Sequence, residues 1–148
     1  MTNDKSGWSR ARYWVLALAA ASGFFVLAVN DAVYDATSPE GMPHHVIMRK
    51  LYSLVCFAVL GLLWRRSFPV AGWARSIAGA ATAIAAYSVL VELGQRVAGS
   101  HESIKWNIVD VVLGGVGGAT GGAIDSVLSF LFPKGSLRPT RRAKAPMP

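Results

Sequence analysis

Four long apolar stretches constrain this chain more than any other feature. They run from about Tyr13 to Val29, from Val46 to Trp64, from about Ser76 to Glu92 and from about Asn107 to Phe132. A hydrocarbon core about 30 Å thick is crossed by about 20 predominantly apolar residues in a helix, and only a helix or a closed barrel satisfies its own backbone there. The pattern predicts an all-α membrane protein with four transmembrane helices, spanning about 13–31, 46–64, 74–92 and 107–132. Residues 1–12 precede this 13–132 domain, and residues 133–148 form a basic, proline-rich tail expected to be disordered. Composition agrees: 53% of the residues are hydrophobic and 16% charged, against about a quarter charged in an ordinary soluble domain.

Lys5, Arg10 and Arg12 would also suit the start of a signal peptide. The apolar stretch behind them is long for one, and Asp31 follows without a small-x-small site, so a retained span is expected. The second span has to include Arg49 and Lys50 near its end, where long side chains can reach the interface.

Charge fixes the expected orientation. With the N-terminus inside, eleven basic residues face the cytoplasm: Lys5, Arg10, Arg12, Arg65, Arg66, Arg75, Lys134, Arg138, Arg141, Arg142 and Lys144. Four face outward: Arg49, Lys50, Arg96 and Lys105. The positive-inside rule then puts both termini in the cytoplasm and the chain in the inner (cytoplasmic) membrane as a multi-pass protein. Six of the eight acidic residues, Asp31, Asp35, Glu40, Glu92, Glu102 and Asp110, fall on the outer side. The basic tail is expected to touch anionic headgroups of the bilayer. The net charge of +7 is not a nucleic-acid signature, because no basic stripe interleaves with stacking aromatics on a soluble face.

The polar residues at the outer ends of the last two spans are the candidate functional residues. Carboxylates inside a span cost about 2.5–3.5 kcal/mol each at a helix centre. Ser88, Glu92 and Gln95 share a face of the third helix, and Arg96 stands four residues after Glu92, the order that favours an intrahelical pair. On the fourth span, Asp110, Gly114, Gly118 and Gly122 recur every four residues, with Gly117 and Gly121 beside them, a small-residue ridge suited to close helix packing. His45, Arg49 and Ser53 stack on the second span. The spacing predicts a polar pocket among helices two, three and four, open to the outer leaflet. Structural readings compete: Glu92 as partner of Arg96, Gln95 as interhelical glue, and Asp110 with Asn107 as a cap of the fourth helix. Asp125, near the inner end, is read as paired with Ser or backbone, or as a lone relay group.

No cofactor motif is present. The glycine run lacks the Gly-Lys-Ser/Thr ending of a phosphate loop. His44, His45 and His101 without a cysteine cluster do not make a zinc site, and Cys56, inside an apolar run, reads as a small buried hydrophobe.

Glu92, Gln95, a polar loop and Asp110 entering a glycine-rich helix resemble the C-terminal half of the VanZ-like family, whose pattern is Glu-x-x-Gln, an Arg after a loop, then Asp-x-x-x-Asn-x-x-Gly. Gly117 matches the final Gly, and Gly114 stands where the family has Asn. The loop is about three residues longer, with Lys105 or His101 nearest to the role of the Arg. Upstream, Lys50, Ser53, Phe57, Leu60 and Gly61 fit the family frame Lys-x-x-His, aromatic, Leu-Gly, with Ser53 in place of His. The resemblance covers residues 45–122. It implies a small multi-helix envelope protein, in a family with a member associated with low-level teicoplanin resistance.

From the resemblance and the pocket together, the expected function is binding or modification of a lipid headgroup or envelope precursor. Arg49, Lys50, Ser53, Gln95, Arg96 and Lys105 are the candidate ligand-binding residues, and Glu92 and Asp110 the candidate catalytic base and orienting group. Two other classes stay open: a small oligomeric transporter or proton-coupled channel using Glu92, Asp110 and Asp125, and an accessory protein that assembles, as a homo-oligomer or with a partner, through Gly114, Gly118 and Gly122.

Overall fold

A computed structural model describes residues 5–30, 32–33, 36, 45–68, 70–99 and 103–132, the side chains of 5–7, 9, 45 and 46 excepted. The tail 133–148, Asp31, Asp35, Glu40, His44, His101, Glu102 and the side chain of His45 lie outside the described residues.

Within them the chain forms four long helices and no strand: α1 (Lys5–Val29), α2 (His45–Ser67), α3 (Trp73–Val97) and α4 (Ile104–Leu131). At 1.5 Å per residue these helices are about 35–42 Å long, and all four are long and apolar enough to cross a membrane. The chain is a multi-pass membrane protein.

The helices overrun the expected spans because hydropathy marks the lipid-facing part and the backbone continues past it. Residues 9–12 and 65–67 contain no breaker. Termination is chemical where it is visible: α3 starts after Gly72 (φ 89°) and ends before Gly99 (φ 98°), both in the left-handed region that favours glycine.

Successive helices run up and down. One end of the bundle gathers the close of α1, the start of α2, the close of α3 and the start of α4, bringing Ala28, Lys50, Gln95 and Asp110 together. At the other end Tyr13, Arg66 and Asp125 meet. Helix α4 lies between α2 and α3, and its glycines are what let both come close. A Cβ at Gly117 would lie 2.5 Å from Phe57 Cβ, and one at Gly121 would lie 2.6 Å from the Leu62 amide nitrogen. On the other side, a Cβ at Gly114 would lie 2.8 Å from Ser88 Cβ, at Gly118 2.7 Å from the Ala80 carbonyl oxygen and at Gly122 3.4 Å from Ala80 Cβ. In lipid, where apolar burial drives little, such backbone approach supplies the dispersion contacts.

Helix α1 is peripheral, with none of its membrane stretch fully buried. It packs through Ala20, Ala21 and Phe24 on a small core of Phe57, Leu60 and Ile84. Hydrogen bonds fix it at three heights: Arg66 to the Tyr13 hydroxyl (3.1 Å), the Tyr87 hydroxyl to the Ala21 carbonyl (2.6 Å) and the Gln95 amide to the Ala28 carbonyl (3.0 Å).

Candidate functional site

A cavity of about 220 Å³ lies between α1 and the other three helices, near the end that carries Asp110. Its polar wall comes from the first turns of α2 (Arg49, Lys50, Ser53), the last turns of α3 (Ser88, Glu92, Gln95) and Asp110 of α4. The rest of the lining is mostly apolar: Phe24 and Leu27 of α1, Cys56 and Phe57 of α2, and Tyr87 and Val91 of α3. The cavity is therefore amphipathic.

Asp110 is the polar anchor of this end. Its carboxylate pairs with the Lys50 ammonium, and both side chains are mostly buried, at 11% and 13% exposure. The ammonium also sits 5.5 Å from the centre of the Trp106 ring, an attractive cation–π arrangement. The Asp110 carbonyl accepts a hydrogen bond from the Ser88 hydroxyl (3.0 Å), which is 1% exposed. Both sides of the α2–α4–α3 sandwich are thus tied to one residue. Asp110 does not cap α4: the helix starts after Ser103, so Asn107 and Asp110 already lie inside it. The helix gains three residues because Ile104, Lys105 and Trp106 are compatible with its first turn.

Of the candidate residues, Glu92, Asp110, Gln95, Arg49, Lys50 and Ser53 line the same cavity. Gln95 also performs the interhelical bonding read as its structural alternative, to Ala28 of α1. Arg96 and Lys105 are exposed and do not line it. Arg96 instead borders a separate groove of about 300 Å³ between α3 and α4, walled by Val89, Leu93, Ile108, Val111 and Val112. At its mouth Asn107 bridges α4 to α3. The amide orientation its neighbours satisfy has the nitrogen donating to Glu92 Oε2 (3.0 Å) and the Ser103 carbonyl (3.2 Å). The Asn107 oxygen then accepts from Arg96 Nε (3.3 Å) and Nη2 (3.0 Å). Asn107 thus stands between Glu92 and Arg96, and Glu92 borders both cavity and groove. At position 114, where the VanZ-like pattern has Asn, a Cβ would lie 2.8 Å from Ser88 Cβ and 3.1 Å from the Ile84 carbonyl oxygen, so a side chain there would need α3 to shift.

The opposite end holds a cluster that reading the sequence missed. Asp125 is neither a lone group nor paired with Ser or backbone. It receives Arg65 Nε (3.2 Å) and Arg66 Nε (2.7 Å). Arg65 also donates to the Gly122 carbonyl (2.7 Å) and to the Ser126 hydroxyl, and at the same end Trp14 packs edge-on against Trp64 and Phe68. A signal existed: two arginines closing one span and a lone carboxylate near the close of another lie at the same membrane depth. Among the described residues no group of three His, Cys, Asp or Glu is placed to hold a metal.

Compared with family models, curated proteins and solved structures, the chain has no match in any of the three.

Proposed function

We propose that this chain is a VanZ-like envelope protein of the inner membrane that binds a lipid-linked ligand in the four-helix cavity. The anionic headgroup would meet Arg49 and Lys50, and the attached chain would lie against Phe24, Leu27 and Phe57. The observation that carries this reading is that one cavity joins charged side chains to an apolar wall, the two kinds of surface an amphiphile needs. Charge asymmetry adds the direction: with both termini in the cytoplasm, the Asp110 end faces outward. The resemblance of Glu92, Gln95 and Asp110 to the family pattern supports the same site, with Ser53 beside Lys50 in the frame position of the family His.

Lys50 is pre-oriented by Asp110 and Trp106, so a phosphate arriving at this wall adds charge-assisted bonds without first ordering a long side chain. Glu92 and Asp110 are the carboxylates able to act on such a ligand. A proton relay is less well supported. Asp110 and Asp125 are both ion-paired and stand fifteen residues apart on one helix, about 22 Å. Assembly through the ridge is less well supported as well, since α2 and α3 of the same chain already occupy the glycine faces.

The test uses vesicles containing a diazirine-bearing phosphatidic acid, with cross-links mapped by mass spectrometry. Wild-type protein should label at Phe24, Leu27 and Phe57. Lys50→Met should cut that labelling about tenfold, the value of one charge-assisted bond, and Ser53→Trp, which fills the cavity with every charge in place, should cut it as well. Labelling confined to lipid-facing Val15 and Leu18, or unchanged in both variants, would overturn the proposal.

A further inference from the structure

The groove between α3 and α4 is separate from the cavity just described, and its occupant follows from its own chemistry. Its floor is apolar, formed by Val89, Leu93, Ile108 and Val112, and its polar groups lie at one end. That end is made by the last turn of α3 and the first turns of α4, the depth at which headgroups begin in a membrane. From Val89 to Arg96 the groove follows seven residues, about 10 Å, or a third of the hydrocarbon thickness.

The polar end is built rather than incidental. Buried Glu92 receives the Asn107 amide, and the Asn107 oxygen receives Nε and Nη2 of Arg96. One edge of the guanidinium is thereby held against the protein, while Arg96 as a whole stays exposed at the groove mouth. A planar guanidinium fixed on one edge presents its remaining N–H groups in a set direction, the arrangement that suits phosphate oxygens. An apolar partner would leave that charge uncompensated, and a free anion would leave the floor uncovered.

We propose that this groove binds a phospholipid, with the headgroup phosphate on Arg96 and one acyl chain along Val89, Leu93, Ile108 and Val112. Asn107, at the groove mouth, is a positioning residue: it sets the direction of the guanidinium. Arg96 therefore serves a different site from Arg49 and Lys50.

The experiment uses the full chain purified in detergent, with native mass spectrometry against phosphatidylglycerol, diacylglycerol and inorganic phosphate. Phosphatidylglycerol should remain bound. Diacylglycerol, lacking the phosphate, should be lost, and inorganic phosphate should neither bind nor compete. Arg96→Gln should lower retained phosphatidylglycerol about tenfold, and Val112→Trp, which blocks the floor, should do so with Arg96 intact. Both positions are exposed, so neither change disturbs the packed interior. Asn107→Leu should give an intermediate loss, because Arg96 remains but is no longer aimed. Retention unchanged in Arg96→Gln and Val112→Trp would overturn the proposal, and so would tight binding of inorganic phosphate that ignores Val112→Trp. Retention that falls only with Lys50→Met would assign the lipid to the four-helix cavity and remove it from this groove.

Discussion

Removing Lys50 alone, Asp110 alone and both together should give three different losses of stability, ordered by how well the surviving charge can leave the bundle. Breaking a buried ion pair by deleting one partner costs about 3–5 kcal/mol, because the other charge is left buried without compensation. Both side chains here are nearly nine-tenths buried, so that range applies without a discount for solvent. Lys50 lies five residues into α2, about 7 Å below its start. In Asp110→Leu its four-carbon stem lets the ammonium climb towards the interface, and the Trp106 ring, worth about 0.5–1 kcal/mol, remains. The loss should fall near 3 kcal/mol, the lower end of the range. Asp110 lies six residues into α4 on a short side chain and has no such route, so Lys50→Met should cost near 5 kcal/mol. The double variant Lys50→Met/Asp110→Leu, with neither charge, should lie within about 1 kcal/mol of wild type, since apolar replacement of a buried pair is often neutral. The assay is equilibrium unfolding in mixed micelles titrated with dodecyl sulfate, followed by helicity and tryptophan fluorescence. Losses that simply add in the double variant would refute the pairing, and equal losses in the two single variants would refute the argument from side-chain reach.

Two further outcomes can be read in the same assay. Gly121→Ala should destabilise by about 3 kcal/mol or more, because its methyl group meets backbone of Ala58 and Leu62, which cannot give as a side chain does; Gly79→Ala, with nothing within 4 Å, should be neutral or stabilise by up to about 1 kcal/mol. Asp125→Asn leaves two guanidinium groups side by side. The loss should stay near or below 3 kcal/mol, because Arg66 is 34% exposed and can turn to the interface, while Arg65→Gln/Arg66→Gln with Asp125→Asn should recover part of it.

The class of fold was legible because membrane thickness acts on a single segment: seventeen or more apolar residues need no knowledge of their neighbours. Pairings were legible only where periodicity on one helix was enough. Ser88, Glu92 and Gln95 fall on one face by spacing, and that face does line the cavity. Spacing also suggested Arg96 as an intrahelical partner of Glu92, but Asn107 of the next helix stands between the two, a relation no single-helix pattern contains. The same limit hid the partners of the other carboxylates. Lys50 and Asp110 are sixty residues apart, and Arg66 and Asp125 fifty-nine.

Depth would have found them. In an up-and-down bundle the start of α2 and the start of α4 lie at one level, and so do their ends. A buried cation and a buried carboxylate at one level are then expected to meet, since each is costly alone. Applied to this chain, that rule sets Arg49 and Lys50 against Glu92 and Asp110 at one end, where Lys50 meets Asp110, and Arg65 and Arg66 against Asp125 at the other; it leaves Arg96, beyond the apolar part of α3, at headgroup depth. The same ordering distinguishes the roles of the cations. Lys50, Arg65 and Arg66 are held by carboxylates and tie α2 to α4 in register. Arg96, at the rim, is held by a neutral amide and keeps its full charge for a ligand.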